Sequence, residues 1–436
     1  MQRAVFALII AIMDYIKRIA DEQISRYLKL FGAVLIEGPK WCGKTWAARN
    51  ASKSEFEVAD PEGNFRNREI ARLNPGAVLE GDRPHLIDEW QEVPALWDAV
   101  RHEIDRSAKK GQFILTGSST PDDNMTIHSG TGRFGRIRLE TMSMFELGLV
   151  KDGIFFEKLF DETYSFENGK YHGALSLNEL IAIICKGGWP GLIGLSPEDA
   201  TEVMGNYLDN IANIDISTID NVKRAPDKVK ALFRSLARNA ATTVKYATIS
   251  KDISEFSNVG VSEETVSEYM GLLKRLFLLR DIPAWEPALK STVRLRTTPK
   301  RILADTSLAV SALGAGMKSL ESDLKLTGSL FENLILHDLI VYSNNIGAEV
   351  RHYQDNSGLE VDAIIEKRDG SWGGIKIKLG YHQEDEAVAS LIRLRKKLLE
   401  NNQRPPTFLA VVIGVGALAR KRDDGVLVIP ADCICP

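Results

Sequence analysis

Apolar runs and amphipathic stretches alternate along the first third of the chain. Short apolar runs are typical of buried strands, whereas the stretches between them carry apolar side chains at the spacing of one helix face. Strands that alternate with helices in this way predict a parallel α/β sheet. The predicted strands are residues 33–36, 55–60, 85–87 and 112–119, and the predicted helices are residues 14–30, 46–51, 61–73 and 93–109.

Helical spacing dominates the middle of the chain, from residue 177 onward. After residue 246 a short helix, a turn, a longer helix and an apolar strand are predicted in that order, which is typical of a winged helix. Ser262 is expected to cap the longer helix. That helix begins with Glu263 and Glu264 and is poor in basic residues, which favours a protein contact over insertion into a DNA groove.

Two basic stretches lie further along the chain. The first allows two interpretations: contact with nucleic-acid phosphates without base recognition, or an exposed hairpin whose charges are solvated. The second lies on a predicted helix and offers a surface for a nucleic-acid backbone or a protein. The first comprises Lys290, Arg294, Arg296, Lys300 and Arg301, and the second Arg393, Arg395, Lys396 and Lys397.

The clearest chemical signal is the pattern G-x-x-x-x-G-K-[ST] at residues 38–45, between a predicted strand and a predicted helix. Such a loop binds nucleotide phosphates, because its glycines allow a tight turn and the next helix directs its positive end at them. Lys44 is expected to reach the β- and γ-phosphates, and the Thr45 hydroxyl to ligate Mg²⁺. The predicted binding residues are Gly38, Pro39, Lys40, Trp41, Cys42, Gly43, Lys44 and Thr45.

Two carboxylates, Asp88 and Glu89, end the predicted strand 85–87. At the carboxyl end of a parallel strand beside the phosphate loop, Asp88 is expected to hold Mg²⁺, largely through water, and Glu89 to polarise the attacking water. Taken alone, two acids after an apolar pair also fit a strand that runs into an acidic loop. Glu92 is a weaker candidate for the base, because it lies past the strand end.

Hydroxyls and arginines further along complete the predicted site. Thr116 or Ser118, at the end of strand 112–119, is expected to contact the lytic water or the γ-phosphate, although capping of the strand end explains them equally well. Arg133 is the first choice for an arginine that stabilises the γ-phosphate in the transition state, in cis or from a neighbouring subunit. The alternative for Arg133 is a solvated loop residue.

Composition narrows the class of protein. The chain has 436 residues, enough for about three domains, and its 44% hydrophobic and 26% charged residues exclude extensive disorder. A net charge of −4 excludes a protein that is basic all over, but not a local basic surface. Four cysteines without zinc-ligand spacing predict a reduced, cytoplasmic compartment. The apolar run 4–13 is too short to span a bilayer and fits a surface-docked helix, or an upstream start with Met13 as the true initiator in place of Met1.

The chain resembles prokaryotic AAA-type ATPases that carry a C-terminal domain of unknown function with a restriction-endonuclease-like fold. Beyond the phosphate loop, the marks of this resemblance are the stretches 86–89, 115–118 and 132–133, with Ser143 and Glu146 after the last ATPase strand. It covers nearly the whole chain, including the turn at residues 187–191. It implies an AAA-type ATPase domain at residues 14–150, a helical, winged-helix-like region at 177–315 and a restriction-endonuclease-like α/β domain at 325–436.

The same resemblance implies a metal site in the last domain. In an active nuclease of this type Glu332, Asp362 and an acid two residues before Lys378 would gather a divalent metal, and Lys378 would assist the hydrolytic water. The position of that acid is Lys376 in this chain, and a cation there disfavours Mg²⁺. Glu366 lies too far along its strand to compensate readily. A nuclease-like scaffold without activity is therefore expected.

Three functions remain open from the sequence. The first is a Mg²⁺-dependent ATPase whose nucleotide state switches its C-terminal domains, with DNA or a protein as partner and a homo-oligomer as one possible assembly. The second is an ATP-gated nucleic-acid-binding protein or nuclease, against which Lys376 argues. The third is a nucleotide-switched interaction module without catalysis, against which Asp88 and Glu89 argue, since a binder needs no base. ATP rather than GTP follows from the resemblance.

Overall fold

The computed structural model describes residues 15–119, 130–219, 222, 224–257, 260–287 and 298–436. Two compact units make up the chain, Met1–Leu139 and Glu140–Pro436, which we call the N-terminal and C-terminal units. Within the described ranges, no helix has both the length and the apolar character that a membrane crossing requires. The segment 4–13, the two candidate starts and part of the basic stretch lie outside the described residues: Met1, Met13, Lys290, Arg294 and Arg296.

A parallel sheet forms the N-terminal unit. Its strands are β1 (Ala33–Glu37), β2 (Ser54–Glu57), β3 (His85–Asp88), β4 (Phe113–Gly117) and β5 (Phe134–Arg138). Its helices are α1 (Ala20–Leu30), α2 (Lys44–Ala51), α3 (Glu62–Leu73), α4 (Pro75–Val78) and α5 (Ala95–Ser107), with a 3₁₀ turn at Trp90–Glu92. The five strands lie in the order β2-β3-β4-β1-β5 and all pair in parallel. The predicted parallel α/β sheet is therefore confirmed.

The register of this sheet determines which residues meet at its carboxyl edge. Glu37 at the end of β1 pairs with Gly117 of β4 and with Arg138 of β5, and Glu57 pairs with Asp88. The interiors of the three central strands, β3, β4 and β1, are apolar and buried, whereas the edge strands β2 and β5 carry the exposed residues Glu55 and Arg136. In the central strands polar side chains therefore gather near the strand ends, and the crevice at the carboxyl ends of an open α/β sheet is where a ligand binds.

The C-terminal unit begins with helices and a hairpin. Its helices are α6 (Leu177–Lys186), α7 (Pro197–Asn210), α8 (Ile216–Thr218), α9 (Pro226–Arg238), α10 (Tyr246–Ser257), α11 (Glu263–Arg275), α12 (Thr306–Ala312) and α13 (Met317–Ser322). Strands β6 (Ile154–Phe155), β7 (Leu279–Ile282) and β8 (Lys300–Leu303) accompany them, and β7 pairs antiparallel with β8. A bridge joins Thr242, between α9 and α10, to Arg301 of β8. The Ser262 hydroxyl caps α11 by accepting from the Thr265 N–H at 3.3 Å.

A mixed sheet follows in the same unit. Its strands are β9 (Ala348–Gln354), β10 (Glu360–Lys367), β11 (Trp372–Gly380), β12 (Phe408–Val415), β13 (Arg420–Lys421) and β14 (Leu427–Pro430). Helix α14 (Leu324–Ile346) precedes β9, and α15 (Glu384–Glu400) lies between β11 and β12. The six strands lie in the order β13-β14-β12-β11-β10-β9. Strands β9, β10 and β11 are antiparallel neighbours, and α15 crosses over to the parallel strand β12. The short strand β15 (Ile434–Cys435) pairs with β6.

Trp97 is the largest contributor to the core on one face of the N-terminal sheet. Its ring stacks on Phe134 with centroids 3.9 Å apart and lies 5.0 Å from that of Trp90, and the residue is 1% exposed. Replacing Trp97 by Ala removes these contacts and leaves a cavity, so we expect a loss of about 3–5 kcal/mol in the free energy of unfolding. Urea unfolding, followed through hydrogen exchange of the β1 and β4 amides, measures this loss for the N-terminal unit alone.

The matched control is Leu73→Ala, because Leu73 is 84% exposed. Its effect should stay within about 0.5 kcal/mol. Equal unfolding midpoints for the two variants would contradict the assignment of Trp97 to the core.

Candidate nucleotide site

The phosphate loop, residues 38–45, connects β1 to α2 at the carboxyl edge of the N-terminal sheet. Gly43 takes a left-handed conformation with φ of 98°, which glycine adopts without steric cost. A Cβ placed on Gly38 would lie 2.2 Å from the Leu139 carbonyl oxygen, so a larger residue does not fit. These glycines let the loop fold tightly in front of α2, whose N-terminal N–H groups favour an anion.

Lys44 and Thr45 begin α2 and lie where the motif predicts. Lys44 is 4% exposed, and its Nζ donates to the carbonyl oxygen of Pro39 at 2.9 Å, across the loop. The Thr45 hydroxyl donates to the Asp88 carboxylate, with 3.0 Å to Oδ1 and 3.2 Å to Oδ2. The structure thus brings the predicted phosphate-binding lysine and both predicted Mg²⁺ ligands to one edge.

Thr116 connects the Asp88 carboxylate to the backbone of Glu89. Its hydroxyl donates to Asp88 Oδ1 at 2.5 Å and accepts from the backbone N–H of Glu89 at 3.0 Å. The Ser118 hydroxyl donates to Glu89 Oε2 at 3.0 Å. The structure brings both predicted hydroxyl residues to the acids. Thr116 donates to the Asp88 carboxylate, and Ser118 donates to the Glu89 carboxylate. Glu89 has a left-handed φ of 57°, a strained conformation for a residue with a side chain.

Gln91 is a member of the site that the sequence analysis missed. Its Nε2 donates to the Glu89 carboxylate and lies 3.4 Å from the Ser118 hydroxyl. Its Oε1 is buried, and within the described part of the chain it has no hydrogen-bond partner. The amide therefore holds the Glu89 side chain and leaves an acceptor beside it. Its position two residues after Glu89 was the available signal, but that spacing alone does not distinguish it from a loop residue.

Burial and neighbouring charges shift the pKa values of the acids near the phosphate loop. Burial raises the pKa of Asp88, the charge of Glu89 raises it further, and the hydroxyls of Thr116 and Thr45 oppose this by hydrogen bonding. Burial also raises the pKa of Glu57. Arg49, one turn along α2 from Thr45, pairs with Glu57 and thereby opposes the rise in its pKa. Arg49 also pairs with Glu55 at 2.6 Å. A bound cation would relieve the remaining repulsion between Asp88 and Glu89.

Residues in the middle of the phosphate loop differ in their exposure to solvent. Lys40 and Trp41 are exposed, Trp41 by 45% and with a left-handed φ of 72°. Cys42 is buried, and its Sγ donates to the Leu139 carbonyl oxygen at 3.5 Å. Arg18, which the sequence analysis did not single out, is 4% exposed and donates from Nη1 to the Cys42 carbonyl oxygen at 3.0 Å.

Arg133 lies at the opposite edge of the sheet from the phosphate loop. It precedes β5, and its carbonyl oxygen accepts from the N–H groups of Gly32 and Ala33, where β1 begins. Its guanidinium pairs with Asp105 at 2.9 Å. The length of a strand separates it from Gly38, so the assignment of Arg133 as a finger in cis is wrong. A contribution from a neighbouring subunit stays a prediction.

Glu92, the weaker candidate for the base, is also engaged elsewhere. Its Oε2 pairs with the Arg68 guanidinium at 2.7 Å. Glu89 is therefore the carboxylate that the structure holds beside Asp88 and the Ser118 hydroxyl.

A second cluster of acids lies in the C-terminal unit. Lys376 Nζ donates to Asp362 Oδ1 at 2.6 Å, and the Ile377 N–H donates to Asp362 Oδ2 at 2.8 Å. Glu366, which could have compensated for Lys376, lies 3.7 Å from Arg351 instead. Within the described residues, no three His, Cys, Asp or Glu side chains are grouped so that they could hold a metal ion.

Lys300 provides this cluster with a second cation. It is fully buried, and its Nζ lies 2.5 Å from Glu332, 3.2 Å from Glu360 and 3.7 Å from Asp362. Its placement in an exposed, phosphate-contacting stretch was therefore wrong, and so was that of Arg301, which is 5% exposed and donates to the Val244 carbonyl oxygen. The separation of 32 residues between Lys300 and Glu332 carries no sequence signal.

The two lysines of this cluster affect the pKa values of Glu332 and Asp362 differently. Burial raises the pKa of Glu332 to about 7, the charge of Asp362 adds to this, and Lys300 opposes it. Burial also works against ionisation of Asp362, but Lys376 and Lys300 together lower its pKa. Asp362 differs from Glu332 because two ammonium groups lie within 4 Å of it, Lys376 at 2.6 Å and Lys300 at 3.7 Å, and it also accepts from the Ile377 N–H.

The second predicted basic surface is largely used for internal contacts. Lys397 pairs with Asp355 at 2.6 Å, Arg393 donates to the Ser357 hydroxyl at 3.0 Å, and Arg395 donates to the Asp424 carbonyl oxygen at 3.3 Å. These bonds attach α15 to its own domain.

Comparison with protein families divides the chain into three matched segments. Residues 31–148 match a family described as an AAA domain. Residues 177–319 match a domain of unknown function, DUF8612, and residues 327–434 match another, DUF4143. The chain thus has an AAA-type ATPase-like domain followed by domains whose families carry no stated function.

Known proteins of similar sequence include the uncharacterized proteins Rv2008c of Mycobacterium tuberculosis and Mb2031c of Mycobacterium bovis. Each is 23% identical over 327 residues, which cover 74% of this chain and 65% of the relative. The match thus spans just under two thirds of these relatives. A solved structure, a Walker-type ATPase of Pyrococcus abyssi, is 11% identical, with a TM-score of 0.42 over 67% of this chain and 94% of that one.

The C-terminal cluster predicts a strong effect of one lysine on stability. Replacing Lys300 by Met removes the cation that contacts Glu332, while Asp362 keeps Lys376, so we expect the free energy of unfolding of the C-terminal unit to fall by about 3–5 kcal/mol at pH 8. The loss should be smaller at pH 5, because Glu332, with a pKa of about 7, is then protonated and needs no partner. Urea unfolding at the two pH values measures both effects.

Lys396→Met is the control, since the Lys396 side chain is 77% exposed and faces Glu400 at 3.9 Å. It should change stability by less than about 0.5 kcal/mol at either pH. A Lys300→Met loss that is equal at pH 5 and pH 8 would refute the role of Glu332.

Proposed function

We propose that the chain is a Mg²⁺-dependent ATPase whose nucleotide state switches its C-terminal unit. The observation that carries this proposal is the joint placement of Thr45, Asp88 and Glu89 at the carboxyl edge of the sheet, with Thr116 bonded to both acids. Nucleotide binding by itself requires only the phosphate loop. A carboxylate held beside the metal ligands is a feature of hydrolysis.

The phosphate loop supplies the binding energy for the nucleotide. N–H groups at the start of α2 face an anion favourably, and Lys44 exchanges its bond to the Pro39 carbonyl for the β- and γ-phosphates. That exchange is favourable because a phosphate oxygen carries more negative charge than a carbonyl oxygen. The buried Arg18 stabilises the loop conformation by donating to the Cys42 carbonyl oxygen.

The residues present suit Mg²⁺. Thr45 and Asp88 offer oxygen ligands, which this hard cation prefers, and their side chains already touch at 3.0 Å. When bound, Mg²⁺ neutralises negative charge on the β- and γ-phosphates. Burial and the charge of Glu89 raise the pKa of Asp88, and a cation beside it would favour its ionised form.

Glu89 acts as the general base in this proposal. Hydrogen bonds from Ser118 and Gln91 orient its carboxylate, while its backbone N–H is held by Thr116. A carboxylate positioned in this way accepts a proton from the attacking water. The buried Oε1 of Gln91 provides an acceptor for the same water molecule. We assign Thr116 and Ser118 the sensor role, since both connect the acids to the end of β4.

For the C-terminal unit we propose a binding role without nucleic-acid cleavage. Three helices, α9 to α11, followed by the β7–β8 hairpin and the bridge between Thr242 and Arg301, support a winged helix. A helix, three antiparallel strands, a crossover helix and a parallel strand, α14 to β12, support a restriction-endonuclease-like fold. Lys300 and Lys376 pair with Glu332 and Asp362, the acids to which the resemblance assigns a nuclease metal site, and this disfavours an ATP-gated nuclease.

Substitutions at the two ends of the site test the ATPase. Lys44→Ala should abolish ATP binding, whereas Glu89→Gln should bind ATP and lower kcat by about 10²–10⁴-fold. Calorimetric titration measures the binding, and phosphate release with Mg²⁺ measures the turnover. Glu92→Gln is the matched control: it removes the charge of a neighbouring acid that pairs with Arg68, and should retain wild-type turnover. Wild-type turnover by Glu89→Gln would refute the base assignment.

The same assay, run with duplex and single-stranded DNA and followed on a gel, tests the C-terminal unit. Intact DNA in the presence of turnover is the expected result. Cleaved DNA would show that Lys300 and Lys376 do not prevent metal binding, and that the nuclease alternative is correct.

An assembled form is the remaining way for Arg133 to reach a γ-phosphate. We therefore expect Arg133→Ala to lower kcat by at least about 10³-fold, and the wild-type turnover per subunit to rise with protein concentration. Turnover that does not depend on concentration or on Arg133 would leave Arg133 as a solvated partner of Asp105.

A further inference from the structure

Residues 140–146, which we call the junction segment, open the C-terminal unit directly after β5. They form no helix or strand, yet they are buried. Glu140, Thr141, Ser143 and Glu146 are each no more than 8% exposed. Connecting segments normally run over the surface, because a buried one must satisfy every polar group. The burial of this segment therefore requires a dedicated set of partners.

Those partners come from distant parts of the C-terminal unit. Glu140 accepts from Arg280 of β7 at 2.5 Å. The Thr141 hydroxyl donates to the Ala304 carbonyl oxygen, before α12, at 3.3 Å, and lies 3.1 Å from Nε2 of His337 in α14. The hairpin, the start of α12 and the long helix α14 therefore all attach to two consecutive residues.

Two further bonds are made by the backbone of the segment. The Met142 N–H donates to the Gly188 carbonyl oxygen at 2.7 Å, and the Met144 N–H donates to the Asp338 carboxylate at 3.0 Å. A Cβ on Gly188 would lie 2.0 Å from the Met142 carbonyl oxygen, so this close approach requires glycine. The contact explains the Gly-Gly-Trp-Pro turn at residues 187–190, which otherwise looks like a simple linker.

The preceding residue, Leu139, belongs to the N-terminal unit and touches the phosphate loop. Its N–H donates to the Glu37 carbonyl oxygen at 2.7 Å. Its carbonyl oxygen accepts from Cys42 Sγ at 3.5 Å and is the atom that leaves no room for a Cβ on Gly38. A shift of the loop at Gly38 or Cys42 must therefore displace Leu139 or break these contacts.

We propose that the junction segment transmits the nucleotide state of the phosphate loop to the C-terminal unit. One peptide bond separates the residue packed on the loop from Glu140, whose ion pair with Arg280 begins the attachment. Because its polar groups are buried, the segment can change position only by exchanging one set of hydrogen bonds for another, which gives it discrete arrangements. The proposal rests on the proposed function, since it requires ATP binding at residues 38–45.

Hydrogen–deuterium exchange of the full-length protein, with and without the non-hydrolysable analogue AMP-PNP and Mg²⁺, tests the proposal. In the wild type the analogue should change exchange in residues 38–45 and also in β7, the turn 187–190 and α14. Glu140→Gln and Thr141→Val should keep the change at residues 38–45 and reduce the change in the C-terminal unit at least about fivefold, the lower end of typical allosteric coupling. Calorimetric titration confirms that each variant binds the analogue.

Glu268→Gln is the matched control. Glu268 pairs with Arg224 at 2.5 Å, the same distance as the pair of Glu140 and Arg280, and is not among the contacts of the junction segment described above. It should leave the C-terminal response intact. Wild-type responses in both Glu140→Gln and Thr141→Val would overturn the proposal.

Two other results separate this proposal from the proposed function. A wild type that binds AMP-PNP without any change in the C-terminal unit would refute transmission and leave the nucleotide site standing. A wild type that does not bind the analogue would refute both. The two junction variants remove different contacts, so an unfolded Glu140→Gln would still leave Thr141→Val to decide the question.

Discussion

The carboxylate of Asp88 is the contact on which the candidate site depends. It receives the Thr45 hydroxyl from the start of α2 and the Thr116 hydroxyl from β4, so one side chain ties the phosphate loop to two neighbouring strands. The parallel register makes this possible, because every strand of the sheet ends at the same edge. Burial makes the carboxylate costly to ionise, as the raised pKa of Asp88 shows, and a cation at this position would offset that cost.

The C-terminal unit also brings several acids together in its interior. Glu332, Glu360 and Asp362 gather in its interior, and the ammonium groups of Lys300 and Lys376 compensate them. An ammonium group carries one positive charge and three hydrogen-bond donors, so each lysine can compensate a buried carboxylate. Lys300 also ties β8 to α14 and β10, and Asn333 adds hydrogen bonds from α14 to the Leu303 backbone of β8.

The two sites are linked along the chain by a segment that has no regular structure. Leu139 contacts the phosphate loop through its carbonyl oxygen, and the next residues bond to β7, to Ala304 before α12, to α14 and to the turn before Pro190. Polar bonds buried in this way are specific, since each group that loses its partner pays a desolvation cost. A bundle of such contacts at the entry to a domain suits transmission better than a flexible linker, which would absorb motion.

Local patterns in the sequence determined the first half of the site. Apolar periodicity predicts the parallel α/β sheet, and the fixed spacing of residues 38–45 predicts the phosphate loop, because both depend on neighbours a few positions apart. Asp88, Glu89, Thr116 and Ser118 followed from their positions at strand ends. Only the tertiary structure showed that Gln91 holds Glu89, that Arg133 lies at the far edge of the sheet, and that Lys300 is buried against Glu332. Those contacts join residues whose distance in space is set by strand order and packing, which no local spacing encodes.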